Sequence, residues 1–346
     1  VFTPLHGTTY ELVPASLRNW GFTNIHTVPE QSIPNGDFPT VASANPEEPV
    51  AFKMALDLAR KIDADLAMAC DPDGDRIGIA VKNDAGAWTL LNGNQTNIIF
   101  TEYIIRRKKE LNQLKGGEYT VKTIVTTELI KDIAERNHII CYDVYTGFKW
   151  IADVIRKEGG EKFIGGGEES FGYMPGAFTR DKDGVSATSL MAEIAAWVKM
   201  QNKTLYSFLK EIYAKYGFSQ ERMIYIVRKG LSGAQEIKAM MEEFRHNTPK
   251  EINHSPVVLK KDYLSLEATN LQTGEKTHLD FETKSDVLQF FLADGSKISV
   301  RPSGTEPKIK FYFEARTQMK DINDYERAQQ EANARIDAII KDLKLQ

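Results

Sequence analysis

Cysteine is scarce in this 346-residue chain, which has only Cys70 and Cys141, far apart and in no CxxC pair. Their spacing argues against a disulfide framework or a cysteine metal site and predicts two buried thiols in a reducing compartment. No stretch approaches about 18 uninterrupted apolar residues, so no membrane span is predicted. The opening VFTPLHGTTY lacks the basic and apolar regions of a signal peptide. We therefore expect a cytoplasmic protein with no membrane partner.

A strong excess of charge of one sign is also missing. The 44 basic and 48 acidic residues leave a formal net charge of −4. Such a mild balance does not indicate binding to nucleic acid, and no run of like charge resembles an interaction tail. Hydrophobic residues make up 42% of the chain and charged residues 27%, which is the composition of a globular protein with ample material for a core.

Helix and strand patterns alternate through the first two thirds of the chain, which predicts an α/β architecture. Near residue 220 the pattern changes to alternating strands flanked by two helices, and Asp294-Gly295 predicts a tight hairpin. We predict two α/β domains with mixed sheets and then a C-terminal α+β domain, over residues 1–116, 117–219 and 220–346.

One helix is predicted in detail. The segment NPEEPVAFKMALDLARKI places Asn45 as an N-cap and Pro46 at the first helical position, with acidic residues in the first turn. The strand DLAMAC follows this helix, and IGIAV begins shortly after it.

Three carboxylates fall within five residues in DPDGDRIGIA, at Asp71, Asp73 and Asp75. Two such charges about 5 Å apart repel by roughly 3 kcal/mol at an effective dielectric constant near 20. Oxygen ligands in a tight loop suit a hard divalent ion such as Mg²⁺ or Ca²⁺. An EF-hand is excluded, because its sixth and twelfth loop positions would be Arg76 and Lys82 instead of Gly and Glu. A phosphatase of the haloacid-dehalogenase type, with an aspartyl nucleophile, and a simple polar turn remain open.

Two further loops have the composition of binding sites. In GGGEESFGY, consecutive glycines allow a close approach of the backbone to a ligand, and Glu168 and Ser170 suit sugar hydroxyls. In RPSGTEPKIKFY, Arg301, Ser303 and the following Gly-Thr form a cradle for an anion, most naturally phosphate. A flexible glycine turn and a plain hairpin are the alternatives. Lys149 in TGFKW begins a helix, where a surface lysine is the usual interpretation.

Taken in order, TPLHG, DPDGDR, TGFK, GEESFG and RPSGTEPK resemble the α-D-phosphohexomutase family, and GEESFG is similar to its phosphoglucomutase type. The resemblance extends from the first residue to the last helix. It implies the last three of the family's four domains, with a C-terminal domain of the TATA-binding-protein-like fold.

The resemblance also implies roles for individual residues. Family members bind Mg²⁺ through the three acids that match Asp71, Asp73 and Asp75, and Arg76 lies in the active site. Lys149 matches a lysine that contacts substrate, while Glu168 and Ser170 match residues that contact sugar hydroxyls. The residues implied to hold the substrate phosphate are Arg301, Ser303, Gly304 and Thr305.

The family's nucleophile is a phosphoserine in a T-x-S-H-N-P loop of the first domain, and its phosphate completes the metal shell. The nearest string here, SANPEEP at residues 43–49, has no His and matches a second-domain segment. We therefore expect the phosphoserine to lie on an N-terminal domain of the same polypeptide outside these residues. This chain alone is predicted to be inactive.

For the intact protein, the resemblance implies an isomerase of carbohydrate metabolism, an intramolecular phosphotransferase and phosphoprotein that acts on a hexose phosphate. It would interconvert glucose 1-phosphate and glucose 6-phosphate, with Mg²⁺ and glucose 1,6-bisphosphate as cofactors. Three alternatives stay open: a phosphomannomutase, a Mg²⁺-dependent phosphatase with an aspartyl nucleophile, and a non-catalytic sugar-phosphate-binding protein.

Overall fold

The computed structural model of the chain describes residues 1–228, 231–304 and 306–345. These residues form two compact units, Val1–Tyr216 and Gly217–Gln346. Each unit is described by itself below. The predicted boundary at residue 116 falls inside the first unit and remains a prediction.

The first sheet of unit 1 has four strands in the order β1-β2-β3-β4. Strand β1 is parallel to β2, and the other neighbours are antiparallel. Strand β2 is buried along its whole length, so the loop that follows it begins at the edge of the core. The strands are β1 (Phe2–Thr3), β2 (Ala67–Cys70), β3 (Ile77–Lys82) and β4 (Trp88–Leu91).

The second sheet of unit 1 has the order β6-β5-β7-β8. Its central strands are parallel, and β8 is antiparallel to β7. In open parallel sheets the carboxyl ends of the strands are the usual place for ligand-binding loops. The strands are β5 (Tyr119–Thr123), β6 (Ile140–Val144), β7 (Phe163–Gly167) and β8 (Tyr173–Met174).

Seven helices of unit 1 surround these sheets within the described residues. They are α1 (Leu12–Asn19), α2 (Lys53–Lys61), α3 (Gly93–Glu110), α4 (Leu129–Glu135), α5 (Phe148–Glu158), α6 (Gly184–Met200) and α7 (Leu205–Tyr216). Helix α3 begins with a capping box, in which Asn92 and Gln95 exchange side-chain to backbone hydrogen bonds of 2.8 and 3.0 Å. Helix α6 is capped by Asp183, whose Oδ1 accepts from the Val185 amide at 3.0 Å.

The prediction that Asn45 caps helix α2 is wrong. Helix α2 begins at Lys53, after a 3-10 turn over Pro49–Phe52. Glu48 is extended, with φ −98° and ψ 132°, because a residue before proline is disfavoured in the helical conformation. Pro49 therefore sets the start of the turn, and Asn45 is left outside the helix.

Unit 2 is built on one antiparallel sheet in the order β13-β12-β11-β14-β15-β16-β9, with β10 paired to β11. Gly295, with φ +84°, makes the predicted hairpin between β14 and β15. The elements are β9 (Phe218–Val227), α8 (Leu231–His246), β10 (Glu251–Ile252), β11 (Ser255–Asp262), β12 (Glu267–Asn270), β13 (Lys276–His278), β14 (Leu288–Leu292), β15 (Lys297–Pro302), β16 (Lys308–Thr317) and α9 (Tyr325–Asp342).

Helices α8 and α9 cover one face of this sheet. Phe244 of α8 contacts the rings of Phe290 and Phe311, and Tyr325 of α9 packs edge-on against Phe218. The predicted fold class is therefore confirmed, with mixed α/β structure followed by an α+β unit. Within the described residues, no helix combines the length and apolar character needed to cross a bilayer.

Candidate functional site

The three acidic residues lie in the loop between β2 and β3, which we call the metal loop (residues 71–76). The loop turns back at once, since the Gly74 amide donates to the Asp71 carbonyl at 3.0 Å and Gly74 has φ +79°. Ligand oxygens of Asp71, Asp73 and Asp75 lie within 4.8 Å of one another. The structure thus brings together the three carboxylates that the sequence pattern predicts.

Asp71 is completely buried, and donors of the loop itself hold its carboxylate. Its Oδ1 accepts from the amides of Asp75 and Arg76 at 3.1 and 3.0 Å. Its Oδ2 accepts from Arg76 Nε at 2.5 Å. A buried carboxylate with this many donors is held in one orientation.

Asp75 differs from Asp71 because, among the described residues, only one of its oxygens lies within hydrogen-bond distance of a partner. Its Oδ2 lies 2.5 Å from the ammonium of Lys182. Its Oδ1 is buried and has no hydrogen-bond partner among the described residues, although Arg76 Nε lies 3.9 Å away. A buried oxygen without a partner is costly. An oxygen-seeking cation would remove that cost, so the donor set fits Mg²⁺.

The electrostatics of the loop favour the same chemistry. Partial burial, followed by the nearby negative charge of Asp71, raises the pKa of the Asp73 carboxyl above its ordinary value. Burial acts to lower the pKa of Arg76, but the charge and hydrogen bond of Asp71 outweigh it and raise that pKa. Three carboxylates with two paired cations, Arg76 and Lys182, retain an excess negative charge for a divalent ion.

Arg76 also extends towards the segment that was predicted to begin helix α2. Its Nη1 lies 3.4 Å from Asn45 Oδ1 and 3.5 Å from Glu47 Oε1. The Asn45 carboxamide also accepts from the Glu47 amide at 3.1 Å, which makes a local turn. Asn45 therefore helps to place Arg76.

Close backbone contacts fix the metal loop from two sides. A methyl group on Gly7 would lie 2.3 Å from Pro72 Cα, and the Thr8 amide donates to the Pro72 carbonyl at 2.9 Å. On the other side, a methyl group on Gly184 would lie 2.5 Å from the Gly74 carbonyl oxygen. These contacts require glycine at both positions and set the path of the loop.

The segment after β7, GEESFG at residues 167–172, forms the second predicted loop, which we call the sugar loop. Glu168 is buried, and its Oε1 accepts from the Gly147 amide at 2.5 Å. Ser170 is half-buried. The Glu168 carboxylate is thus tied to the segment TGFK, which carries Lys149. Lys149 is exposed in the first turn of α5, with its Nζ 5.0 Å from the Trp150 ring centroid.

The metal loop and the sugar loop meet through the backbone. The Ile77 amide donates to the Phe171 carbonyl at 3.1 Å, and Arg76 and Gly172 form an isolated antiparallel bridge. Phe171 has φ +68°, which is unusual for a large side chain and is the kind of strain that functional loops retain. Arg76 and the sugar loop therefore share one region of unit 1.

Helix α3 holds the sugar loop from behind. Asn97 is buried, and its Nδ2 donates to the Glu168 carbonyl at 2.7 Å. A methyl group on Gly93 would lie 2.1 Å from the Glu169 carbonyl oxygen. The start of α3 can therefore pack this closely against the sugar loop only because residue 93 is a glycine.

The predicted phosphate loop belongs to unit 2, between β15 and β16. Arg301 is half-buried near the end of β15, and its guanidinium forms no hydrogen bond or ion pair with another described residue. Ser303 donates its amide to the Lys308 carbonyl at 2.8 Å, and Gly304 is exposed. Thr305, the last member of the predicted set, lies outside the described residues.

The sequence patterns missed several residues that build these loops. Lys182 pairs with Asp75, and its stem contacts the sugar loop, since a methyl group on Gly172 would lie 2.7 Å from Lys182 Cδ. Asn97 holds the sugar loop without belonging to a local motif, and Gly7 ends the motif TPLHG but was assigned no role there. The only sequence signal for Lys182 is its place beside Asp183 at the start of a helix, which does not identify a function.

Comparison with known proteins identifies relatives of this chain along most of its length. Three models of the phosphoglucomutase/phosphomannomutase family match the chain: alpha/beta/alpha domain II at residues 1–86, alpha/beta/alpha domain III at 92–216 and the C-terminal domain at 237–337. The phosphoglucomutase of Staphylococcus aureus (strain MRSA252) is 38% identical over 313 residues, which cover 90% of this chain and 56% of that protein. The chain thus spans little more than half the length of this relative.

Solved structures show the same fold. The phosphoglucomutase pp63/parafusin from Paramecium, in its open form, superposes with a TM-score of 0.64 at 17% identity and covers 99% of this chain and 56% of its own. A phosphoglucomutase/phosphomannomutase family protein from Burkholderia thailandensis gives 0.59 at 16% identity, with 96% and 60% covered. The family models together match most of the chain in domain order. The chain is therefore a member of the phosphoglucomutase/phosphomannomutase family, the α-D-phosphohexomutases.

Proposed function

We propose that these residues form the metal-binding and sugar-phosphate-binding part of a Mg²⁺-dependent phosphoglucomutase. The intact protein would interconvert glucose 1-phosphate and glucose 6-phosphate through glucose 1,6-bisphosphate. The observation that carries the proposal is the metal loop, with three clustered carboxylates and one buried oxygen that has no hydrogen-bond partner in the described part of the chain. The sugar specificity rests on the GEESFG loop and on the 38% identity with a phosphoglucomutase.

In this proposal Asp71, Asp73 and Asp75 hold the metal. Bound Mg²⁺ would offset the charge of a transferring phosphoryl group and act as a Lewis acid. Arg76 and its partner Asp71 keep the loop in one conformation, so the carboxylates need little rearrangement to bind the ion.

The remaining loops bind the sugar phosphate. Glu168 and Ser170 would contact hydroxyls, and Lys149 in the neighbouring segment would contact the substrate from the start of α5. In unit 2, Arg301, Ser303, Gly304 and Thr305 would hold the phosphate that is not reacting. A guanidinium with hydroxyl groups and backbone amides is well suited to that task. We propose that three domains, with the limits 1–116, 117–219 and 220–346, carry the metal loop, the sugar loop and the phosphate loop, respectively.

We further propose that the phosphoserine nucleophile lies outside these residues. An aspartyl nucleophile at Asp71 is disfavoured, because hydrogen bonds from the loop occupy both of its oxygens and the proposal assigns this carboxylate to the metal. A nucleophile needs an accessible lone pair directed at phosphorus. The chain by itself should then bind ligands without turnover.

Calorimetry of the purified chain tests the metal assignment. Titration with MgCl₂ should show one site, and Asp73→Asn should lower the affinity about tenfold or more, because even loss of an outer partner of a metal ligand costs about 10–100-fold. Asp37→Asn, an equal charge change at an exposed position, is the control. If Asp73→Asn binds Mg²⁺ like the wild type, the acidic cluster is only a turn.

An activity assay separates the functional alternatives. The chain is incubated with glucose 1-phosphate, Mg²⁺ and a trace of glucose 1,6-bisphosphate, while glucose 6-phosphate and free phosphate are followed in parallel. We expect neither product. Isomerisation would place a nucleophile within these residues, and phosphate release alone would favour the aspartyl phosphatase. Tighter binding of mannose 1-phosphate than of glucose 1-phosphate would favour a phosphomannomutase.

A further inference from the structure

Lys182 brings a positive charge into the metal loop from outside the motif. It precedes the Asp183 cap of α6, and its Nζ lies 2.5 Å from Asp75 Oδ2. Both side chains are largely shielded, with 23% and 27% of their surface exposed. An ion pair with this degree of burial is screened less by water and salt than one on the surface.

The ion pair leaves the two oxygens of the Asp75 carboxylate in different surroundings. Oδ2 is used by Lys182, whereas Oδ1 stays buried without a hydrogen-bond partner among the described residues. A divalent ion held by Oδ1 would therefore share one carboxylate with an ammonium group. Like charges at such a short separation repel each other strongly in a partly buried site.

The surroundings prevent Lys182 from moving far from this position. Its Cδ packs against Gly172 of the sugar loop, where a methyl group would approach to 2.7 Å, and its Nζ lies 5.8 Å from the Phe148 ring centroid. Gly184, two residues later, donates its amide to the Gly74 carbonyl at 3.1 Å. The stem of Lys182 and the backbone that follows it thus contact loops of unit 1, so the charge stays close to the acids.

We propose that Lys182 is a built-in cation that neutralises Asp75 in the metal-free protein and lowers the affinity of the metal loop for a divalent ion. The inference rests on the proposed function in one respect, namely that the acids of the loop bind Mg²⁺. The benefit is a loop that keeps its shape without metal and exchanges its ion readily. Lys182 acts here through Asp75 and is not assigned a contact with substrate.

Calorimetric titration of the full chain with Mg²⁺ tests the inference without any activity readout. Lys182→Met removes the charge and keeps most of the apolar stem, so its Mg²⁺ affinity should rise about tenfold or more. Lys182→Arg keeps the charge and should stay within about threefold of the wild type. Lys199→Met is the matched control, because Lys199 lies at the other end of α6 in an exposed pair with Asp65. It should leave the affinity unchanged.

Two results overturn the inference in distinguishable ways. If the wild type and all variants fail to bind Mg²⁺, the metal assignment itself is wrong, and the inference falls with it. If the wild type binds and Lys182→Met binds equally or more weakly, the proposed function stands and the built-in cation is refuted. The weaker result would mean that Lys182 mainly orients the carboxylate. Lys182→Gln, which keeps a hydrogen-bond donor, provides the same comparison should the Met variant unfold.

Discussion

Arg301 shows how much of the proposed phosphate loop depends on one residue. Its guanidinium has no partner among the described residues, so it is available to an anion. A charge-assisted hydrogen bond contributes about 1.5–3 kcal/mol. Arg301→Ala should therefore weaken binding of glucose 1-phosphate by about ten- to 150-fold in calorimetry. Arg327→Ala removes an equal charge from α9, where Arg327 pairs with Asp324 and Glu331, and serves as the control. Equal affinities of the two variants would contradict the assignment.

Cys70 predicts a pH dependence of stability. Complete burial raises the pKa of its thiol from 9.0 to about 12. Above pH 9 the unfolded chain releases this proton while the folded chain keeps it, so stability present below pH 9 is lost as the pH rises towards 12. The contribution to the free energy of unfolding should fall by about 1.4 kcal/mol between pH 8 and pH 10.

Urea unfolding of the wild type and of Cys70→Ala measures this effect. All four tryptophans, at positions 20, 88, 150 and 197, lie in unit 1, so their fluorescence follows the unit that contains Cys70. The wild type should lose stability more steeply than the variant over this pH range. Parallel pH profiles would show that the thiol ionises as readily in the folded protein as in the unfolded chain.

At the scale of elements, the segment before α1 packs against the metal loop and supports its conformation. Gly7→Ala would place a methyl group 2.3 Å from Pro72 Cα, so Pro72 between Asp71 and Asp73 must shift. Overpacking of this kind costs about 1–3 kcal/mol. We expect that loss in tryptophan-monitored unfolding, together with weaker Mg²⁺ binding. Gly36→Ala has open space around it and should change stability by less than about 0.5 kcal/mol. A Gly7→Ala protein as stable as Gly36→Ala would exclude this role.

At the scale of the whole molecule, the two compact units need not unfold together, since chains with several domains often depart from two-state behaviour. Mg²⁺ at a hundred times its dissociation constant should stabilise unit 1 by about 2.7 kcal/mol. The tryptophan-monitored transition should shift, whereas hydrogen exchange measured by mass spectrometry in β14 and β15 of unit 2 should not. Asp73→Asn, which should bind the ion about tenfold or more weakly, should reduce the shift to about 1.4 kcal/mol or less at the same Mg²⁺ concentration. An equal shift in both units would show that they unfold as one.

The sequence predicted those parts of the molecule that depend on local pattern. The acids of the metal loop, the glycines before Glu168 and the Asp294-Gly295 hairpin each follow from a few adjacent residues. The start of α2 was misplaced because Pro46 and Pro49 both suit a first helical turn, and only the structure shows that Pro49 opens a 3-10 turn. Local rules cannot decide between two such signals.

The unpredicted parts depend on contacts between residues far apart in the chain. Lys182 meets Asp75 and Asn97 meets Glu168 only after the sheets of unit 1 have formed. A lysine near a helix start or an asparagine within a helix has no distinctive local pattern. The loops could therefore be located from the sequence, whereas the residues that hold them could not.

The order of these contacts along the chain has a consequence for biosynthesis. The metal loop leaves the ribosome before its partners Lys182 and Gly184, which are made more than 100 positions later. Closing so long a loop carries an entropic cost, and contacts of this range form slowly. A nascent chain that has reached β6 therefore has Arg76 as a partner for Asp71 but neither the lysine that pairs with Asp75 nor the glycine that packs against Gly74. We therefore expect the metal loop to gain its full set of contacts only after translation has passed the start of α6.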